Sequence, residues 1–377
     1  MRAAGVKARS ALTLGGEVRY ERTVYECPAC RKSHAPLDGE LRVALGERLS
    51  LGVRRKVMYA GAKESFGEAA RTLKRLAGIE LSKAECERVG LEDGARRDGE
   101  QRAEEARWLE PVQIGQPVPA PEIEPERLVI QADAATVLTV KGEEDKSVYC
   151  GVAFDAEARQ VKEGSGRPFL ARKRYTGSAL NMEDFGPRLK ALAWRMGLRS
   201  ARSVAFIADG AACLWKWARE NLPSNMEVVL IQDFWHVAEH LFGLAAQVWD
   251  GTPQGLERAE RWKQKLEEGR VDEIIKDLEA ERAKRRGVKR KRLGEEIQYL
   301  HNARERMDYP AYKAAGWPVG SGAAESTCKN LIKRRFGIVG AHWRRASIPN
   351  ILALRLDVLN EDDFAQDDFD PGNSLAA

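Results

Sequence analysis

The stretch VAFIADG, residues 204–210, decides the fold of this chain. It is a short apolar run that ends at an acidic residue and a glycine, and helical patterns lie on either side of it. Such a run is typical of a buried strand. Runs at 128–140, 148–158 and 226–233 have the same character. Buried strands that alternate with helices predict an α/β core.

The connections between these runs add detail to the predicted core. The runs at 128–140 and 148–158 suit neighbouring strands joined by a turn near Gly142. From about 253 to 315 the pattern is helical, heavily charged and without a strand signal, which predicts a helical insertion. We expect a last helical stretch over 323–360.

Composition sets broad limits on the class of protein. The 377 residues suit two or three domains, and 43% hydrophobic residues suffice for a sizeable core. No apolar run is long enough to span a bilayer and no secretory leader opens the chain, which predicts a soluble cytoplasmic protein without a membrane partner. Six scattered cysteines suit a reducing compartment. A net charge of +5 permits a polyanionic partner without requiring one.

The N-terminal region begins with a predicted β-hairpin. Two strand-like runs flank Gly15-Gly16 within residues 12–26, and they lead into the pair Cys27 and Cys30. One Cys-x-x-Cys supplies half of a zinc ribbon, and His34 is a candidate third ligand. Zinc at Cys27 and Cys30 is therefore expected only if a second cysteine pair completes the site.

A pair of helices is predicted next. An amphipathic helix covers 63–77 and ends at Gly78, and Ser82 with Glu85 forms a capping box for a second helix. A helix, a short turn and a helix make a helix-turn-helix candidate. Arg88, Arg96 and Arg97, on or just beyond the second helix, would then contact DNA. The alternative is a helical pair that only packs or dimerises.

Three acidic residues carry the predicted chemistry. Asp133 and Asp209 each end an apolar strand run, and Glu325 lies on a later helical segment. Strand ends are where ligands bind in open α/β sheets, although either aspartate alone suits a turn or a helix cap better. Converging carboxylates repel one another, and divalent cations relieve that repulsion. Two such ions would support an in-line phosphoryl displacement.

The order of strand-Asp, strand-AspGly, helical insertion and helix-Glu resembles that of DDE transposases with a ribonuclease H-like fold. The resemblance is closest to bacterial insertion-sequence transposases of the ISKra family, which look related to the Mutator-like group. It covers about 128–360, and its matching stretches are VIQADAATV, VAFIADGAACLWKW, VVLIQDFWHVAEHL, WPVGSGAAESTCKNLIKRR and ILALRLDVLN. The string GSGxxE…K is the most specific of them.

The resemblance implies a fold and an activity. It implies an α/β fold with a ribonuclease H-like mixed sheet and a helical insertion. It also implies two Mg²⁺ or Mn²⁺ ions held by Asp133, Asp209 and Glu325. The activity would be cleavage of DNA at the ends of an insertion sequence and transfer of the strand to target DNA, by a homo-oligomer on paired ends, in the bacterial cytoplasm at the nucleoid.

Further site residues follow from the same resemblance. Asp233-Phe-Trp-His236 matches an Asp-x-x-His signature, so His236 would position a nucleotide or a catalytic water. The alternative is a core histidine on a helix with His240. In the resembling family a first cysteine pair stands upstream of the hairpin, where this sequence begins at Met1, so the zinc expectation for Cys27 and Cys30 rests on a longer chain.

Basic residues after Glu325 are the remaining candidate DNA contacts. Lys329 and Lys333 fall on the helix face of Glu325, and Arg334 and Arg335 follow. Lys329 would alternatively pair with Glu325, and the aromatics Phe336 and Trp343 would alternatively belong to the core. The run RAKRRGVKRKR at 282–292 is the densest positive stretch, and a solvated helix is its alternative explanation.

The predicted organisation has five parts: a partial zinc-ribbon-like hairpin at 1–45, a helix-turn-helix region at 46–107, a Pro-rich linker at 108–127, the catalytic core at 128–360 and an acidic disordered tail at 361–377. Two other functions stay open. A decayed or truncated copy would act only as a DNA-binding protein, and a ribonuclease H-like nuclease of another kind would share the acids.

Overall fold

The computed structural model describes residues 1–41, 43, 47–114, 117–161, 168–170 and 172–360. The chain forms two compact units. The first comprises Met1–Ala103, Val137–Lys146 and the chain from Leu331 on; the second comprises Glu104–Thr136 and Ser147–Asn330. Residues 331–360, predicted within the catalytic core, thus group with the N-terminal region. The predicted acidic tail at 361–377 lies outside the described residues.

The described chain alternates strands and helices. Its strands are β1 Arg2–Thr13, β2 Gly16–Glu26, β3 Ser33–His34, β4 Arg127–Val137, β5 Lys146–Asp155, β6 Arg159–Val161, β7 Pro168–Leu170, β8 Lys173–Ser178, β9 Ser203–Ala208 and β10 Glu227–Gln232. Its helices are α1 Pro36–Glu40, α2 Leu51–Lys63, α3 Phe66–Ala77, α4 Lys83–Ile114, α5 Met182–Arg195, α6 Ala212–Asn221, α7 Phe234–Val248, α8 Pro253–Glu267, α9 Val271–Lys284, α10 Gly287–Ala303, α11 Tyr309–Ala314, α12 Gly322–Thr327, α13 Arg334–Phe336 and α14 Ile348–Asn360. A π-helical segment covers Cys328–Lys333, and 3-10 turns cover Arg304–Arg306 and Arg345–Ser347.

The first unit opens with the predicted hairpin. Strands β1 and β2 pair antiparallel from Arg2↔Glu26 to Thr13↔Gly16, and β3 adds to β2 to complete a three-stranded sheet. The hairpin prediction is confirmed. Strand β1 begins earlier than predicted because its N-terminal half, which lacks a clear apolar alternation, is held by pairing with β2.

The predicted helix pair is also present in the first unit. Ser65 caps α3 by accepting from the Glu68 amide, and Gly78 ends it at φ +65°, a conformation that glycine adopts without strain. The Ser82 hydroxyl accepts from the Glu85 amide at 3.1 Å while the Glu85 carboxylate accepts from the Ser82 amide at 3.0 Å. The capping box is therefore confirmed, and α3 starts three residues later than predicted.

The linker was predicted to begin at residue 108, but helix α4 extends beyond that position. Helix α4 continues to Ile114, so the prediction that prolines keep 108–127 free of regular structure is wrong for 108–114. Pro111 lies in the last turn, where a missing amide removes only one hydrogen bond of the helix. Although a proline inside a helix is costly, α4 continues through Pro111 to Ile114.

Two glycines of α4 give a matched stability prediction. A Cβ on Gly94 would lie 2.4 Å from the Asn350 carbonyl oxygen of α14, whereas a Cβ on Gly99 would meet open space. We expect Gly94→Ala to destabilise the protein by about 1–3 kcal/mol through overpacking. Gly99→Ala should instead stabilise it by about 0.5–1 kcal/mol through helix propensity. Urea unfolding measures both, and equal effects of the two substitutions would contradict the close approach of α4 and α14.

The second unit is built on a mixed five-stranded sheet with the strand order β10-β9-β4-β5-β8. Strands β10, β9 and β4 run parallel, and β5 pairs antiparallel with β8. One face packs on α5 and α6 through residues such as Phe185 and Trp217. The other packs on the helices after β10 through residues such as Val237 and Trp262. The predicted α/β core is confirmed.

The segment from 253 to 315 contains helices α8 to α11 and no strand, as predicted. The predicted helical stretch over 323–360 is only partly right. The π-helical segment follows α12, and non-helical backbone containing Gly337 and Gly340 separates α13 from the last 3-10 turn. Among the described residues, no helix combines the length and the apolar character needed to cross a membrane.

Candidate active site

The strand register places three aspartates at one edge of the sheet. Ala132 of β4 and Gln232 of β10 both pair with Ala208 of β9, in parallel. The residues that directly follow these three positions are Asp133, Asp209 and Asp233. Because neighbouring strands lie about 4.8 Å apart, the carboxyl-end edge of the sheet brings these acids side by side.

Asp133 departs in one respect from its predicted position. Strand β4 continues past it to Val137, so Asp133 does not end the strand, although its pairing with β9 stops one residue earlier. Pairing with β5 on the other side keeps the later residues extended. The Asp133 side chain is half-buried, and its Oδ1 accepts from the Ala134 amide at 2.7 Å.

Asp209 lies in a tight turn that a glycine makes possible. Gly210 has φ +117°, and a Cβ there would lie 2.9 Å from the Gln232 Nε2. That Nε2 donates to the Asp209 carbonyl at 2.7 Å and to the Tyr299 hydroxyl at 2.9 Å. Burial, followed by the charges of Glu296 and Asp209, raises the pKa of Tyr299. A neutral phenol thus closes one side of the Asp209 turn.

Glu325 is attached to the same edge through two buried polar side chains. Gln131 of β4 accepts from the Ala324 amide at 2.9 Å and donates to the Gly320 carbonyl at 3.2 Å. Asp233 accepts from the Ser321 amide at 2.8 Å and from the Ser321 hydroxyl. The start of α12 is therefore fixed to β4 and to the end of β10, and Glu325 projects exposed from its first turn.

A cysteine pair makes a second connection between the Glu325 helix and the sheet. Cys328, one turn after Glu325, is buried and its thiol hydrogen-bonds to the Asp133 carboxylate. Its sulfur lies 3.0 Å from the sulfur of Cys150 on β5. The hydrogen bond with Cys150, burial and the Asp133 charge all raise the pKa of Cys328. A neutral thiol is therefore the stable form beside Asp133.

The donor atoms at this edge are hard carboxylate oxygens, which suit Mg²⁺ or Mn²⁺. Within the described part of the chain, however, no three His, Cys, Asp or Glu side chains lie close enough to hold one ion. Asp133 and Asp209 are half-buried and Glu325 is exposed. The three acids are therefore attached to one edge of the sheet without forming a closed cluster.

His236 lies in the first turn of α7, which Asp233 caps by accepting from the Trp235 amide at 2.7 Å and from the His236 amide at 3.2 Å. The His236 ring is half-buried and lies 4.7 Å from the ring of His240. Glu296, 3.4 Å from the His240 Nδ1, raises the pKa of His240. His236 is thus near the candidate edge, and its predicted role stays a prediction.

The basic residues after Glu325 separate into two groups. Lys329, Lys333 and Arg334 are exposed, as a DNA contact requires. Arg335 is only 2% exposed, so it does not belong to a solvated basic face, and its predicted DNA contact stays a prediction. Its neighbours Phe336 and Trp343 are buried against each other with ring centroids 4.9 Å apart, which supports the core alternative for these aromatics.

The other predicted DNA contacts have carboxylate partners. Arg88 pairs with Glu92 at 2.8 Å, and Arg97 pairs with Asp357 at 2.7 Å. In the run at 282–292, basic side chains at the end of α9 and the start of α10 pair with nearby acids, as the half-buried Lys289 does with Asp250 at 2.6 Å. The exposed pair of Arg88 with Glu92 is weak, so a DNA phosphate would compete for Arg88. Asp357 is buried and contacts Arg97 with both carboxylate oxygens, so Arg97 is held more firmly.

The predicted zinc half-site lies between β2 and β3. The backbone N–H groups of Cys30 and Ala29 hydrogen-bond to the Cys27 sulfur and lower the pKa of this thiol, and the Cys30 side chain adds to the effect. A stabilised thiolate is the form that binds zinc. Cys30 and His34 are exposed nearby, and the zinc expectation stays untested.

Several residues that build the site were not predicted from the sequence. They are Gln131, Gln232, Tyr299 and Ser321. A signal for the two glutamines does exist, because each interrupts an apolar strand run just before an aspartate, in VIQAD and LIQD. A comparison with protein-family models and with curated proteins finds no match for this chain.

Proposed function

We propose that this chain is a DDE-type DNA transposase that cleaves the ends of an insertion sequence and transfers the strand to target DNA. The observation that carries the proposal is the parallel register Ala132↔Ala208, which sets Asp133 beside Asp209, together with the anchoring of the Glu325 helix to the same edge. Acids from two strands and a later helix, in this chain order, suit two-metal phosphoryl transfer.

The sheet supports the finer fold assignment as well. A mixed sheet, with one acid on its middle strand, one after the neighbouring parallel strand and one after an all-helical segment, agrees with the ribonuclease H-like arrangement that the sequence resemblance implies. We therefore propose a ribonuclease H-like core for the second unit. Its partner would be DNA, bound by a homo-oligomer at the bacterial nucleoid.

Different residues have different roles in the proposed reaction. Asp133, Asp209 and Glu325 would hold two Mg²⁺ or Mn²⁺ ions, which activate the attacking oxygen and stabilise the leaving oxygen when bound. Gln131 and Asp233 hold the start of α12, so they fix the point from which Glu325 reaches the sheet edge. Gln232 and Gly210 fix the turn of Asp209. Lys329, exposed one turn after Glu325, can bind a DNA phosphate.

Cleavage of a labelled terminal-repeat duplex tests the proposal. We expect the chain to nick this duplex when Mg²⁺ or Mn²⁺ is present and not in Ca²⁺ or EDTA, because the carboxylates need a catalytic cation. Binding without nicking in either metal would instead favour the decayed-copy alternative. Cleavage of an RNA–DNA hybrid in preference to the duplex would favour another ribonuclease H-like nuclease.

A further inference from the structure

The first unit contains a cavity of about 260 Å³ that the proposed active site does not use. It lies between the start of α3, the start of α4 and the segment from Ala341 to Ser347. Its lining includes Lys83, Glu87, Arg335 and Arg344. The cavity therefore combines three cationic side chains with one carboxylate.

Arg335 is the buried member of this group. Its Nε donates to the Gly61 carbonyl at 2.7 Å, and its guanidinium lies 5.1 Å from the Phe66 ring centroid and 4.6 Å from that of Trp343. Its Nη2 is buried without a hydrogen-bond partner in the described structure. Leaving a buried charged donor unsatisfied costs more than leaving a neutral one unsatisfied. An anion that enters the cavity and reaches this nitrogen would remove that cost.

The charge around Arg335 also favours an anion. Burial, with the nearby charge of Arg355, lowers the pKa of Arg335 to about 10. Arg355 is itself buried and donates to the backbone carbonyls of Leu331 and Ala62. The charge of Glu87 opposes this lowering of the pKa, but in the described structure no carboxylate accepts a hydrogen bond from the Arg335 Nη2.

The rim offers further donors to such a ligand. Lys83 and Arg344 are both exposed at the cavity, so their cationic groups are free to turn toward a bound anion. A guanidinium presents its donors in a fork that matches phosphate oxygens. One buried guanidinium with two cations at the rim suits a group that carries several anionic oxygens.

We propose that this cavity binds a phosphate group, and that the group belongs to the DNA backbone. The second part rests on the proposed function, whereas the first part does not. The sequence predicted a DNA contact for Arg335, and the cavity adds a buried phosphate site in which Lys83 and Arg344 take part. The site is also built from residues of the first unit and shares none with the candidate active site.

Calorimetric titration of the full chain with inorganic phosphate, against chloride at equal ionic strength, tests the first part. We expect saturable binding that Lys83→Gln and Arg344→Gln each weaken about fivefold, since each removes one charge-assisted contact. Glu87→Gln should tighten binding, because it removes the opposing charge. Arg75→Gln, an exposed charge change on α3 outside the cavity, should leave the affinity unchanged. Arg335→Met should abolish binding, but because it can also unfold the protein, the rim substitutions decide.

The source of the phosphate is tested in a second arm, without divalent metal. We expect a short duplex to displace bound inorganic phosphate, and the ³¹P line width of the phosphate measures this displacement. We also expect Lys83→Gln to weaken duplex binding. Absence of saturable phosphate binding, or equal responses of Lys83→Gln, Glu87→Gln and Arg75→Gln, would overturn the proposal. Retention of bound phosphate in the presence of duplex would contradict only the proposal that the phosphate group belongs to DNA. Because no cleavage is measured, failure of either arm can be distinguished from failure of the transposase proposal.

Discussion

Asp209→Asn is expected to lower metal-dependent DNA cleavage by at least about 10³-fold, because under the proposed function it removes a charged ligand from ions that would supply several kcal/mol of transition-state stabilisation. Asp133→Asn and Glu325→Gln should behave alike, since all three acids are attached to the same edge of the sheet. Affinity for the duplex should change by no more than about twofold, because under the same proposal Lys and Arg contacts to phosphates would provide it. Nicking and gel-shift assays on the same samples separate the two quantities.

A matched control and a finer substitution sharpen this test. Asp272→Asn makes the same chemical change at an exposed position of α9 and should leave cleavage intact. Glu325→Asp keeps the charge but shortens the side chain by one methylene, which by misplacement should cost on the order of a hundredfold in rate. Wild-type cleavage by the three neutral variants would show that the acids have structural roles only.

The second large effect is expected at Asp233. This carboxylate is 5% exposed and accepts from the amides of Trp235, His236 and Ser321 and from the Ser321 hydroxyl. Asp233→Ala removes the cap of α7 and leaves buried donors unsatisfied, so we expect a loss of about 3–5 kcal/mol of unfolding free energy. Cleavage should fall as well, because the segment leading to Glu325 loses its attachment to β10. Urea unfolding and the nicking assay measure the two effects.

Ser321→Ala is the matched partner for Asp233→Ala. It removes a single hydroxyl and keeps the cap of α7, so a loss of only about 1 kcal/mol is expected. The double variant should be less destabilised than the sum of the two, because both substitutions remove the same hydrogen bond. Strict additivity would contradict the coupling between the end of β10 and the turn before α12.

Local sequence pattern was sufficient to predict the hairpin, four of the five strands of the mixed sheet and the insertion, but not β8. The runs that became β9 and β10 are apolar and end at aspartates, so each strand and its boundary are visible within a few residues. The capping box of Ser82 and Glu85 is equally local. The extension of β4 beyond Asp133 could not be predicted locally. It is maintained by pairing with β5 and does not follow from the apolar pattern of β4.

Tertiary packing explains what could not be predicted at the candidate site. Gln131 and Ala324 are 193 residues apart, so no local pattern shows that the glutamine binds the start of α12. Tyr299 lies in a helix whose charged pattern gives no sign of a partner on β10. Arg335 belongs to a run of basic residues that is typical of a surface, and only the fold shows that it is buried between Phe66 and Trp343.

The parallel pairing of β4 with β9 has a consequence for the protein while it is being made. Parallel strands meet only after the intervening chain has crossed over, and such long-range pairing is slow to form. During synthesis Asp133 leaves the ribosome long before Asp209, and Glu325 leaves last. If the proposed activity holds, a nascent chain has no complete set of acids and cannot cut DNA near its own gene until nearly all of it has been translated.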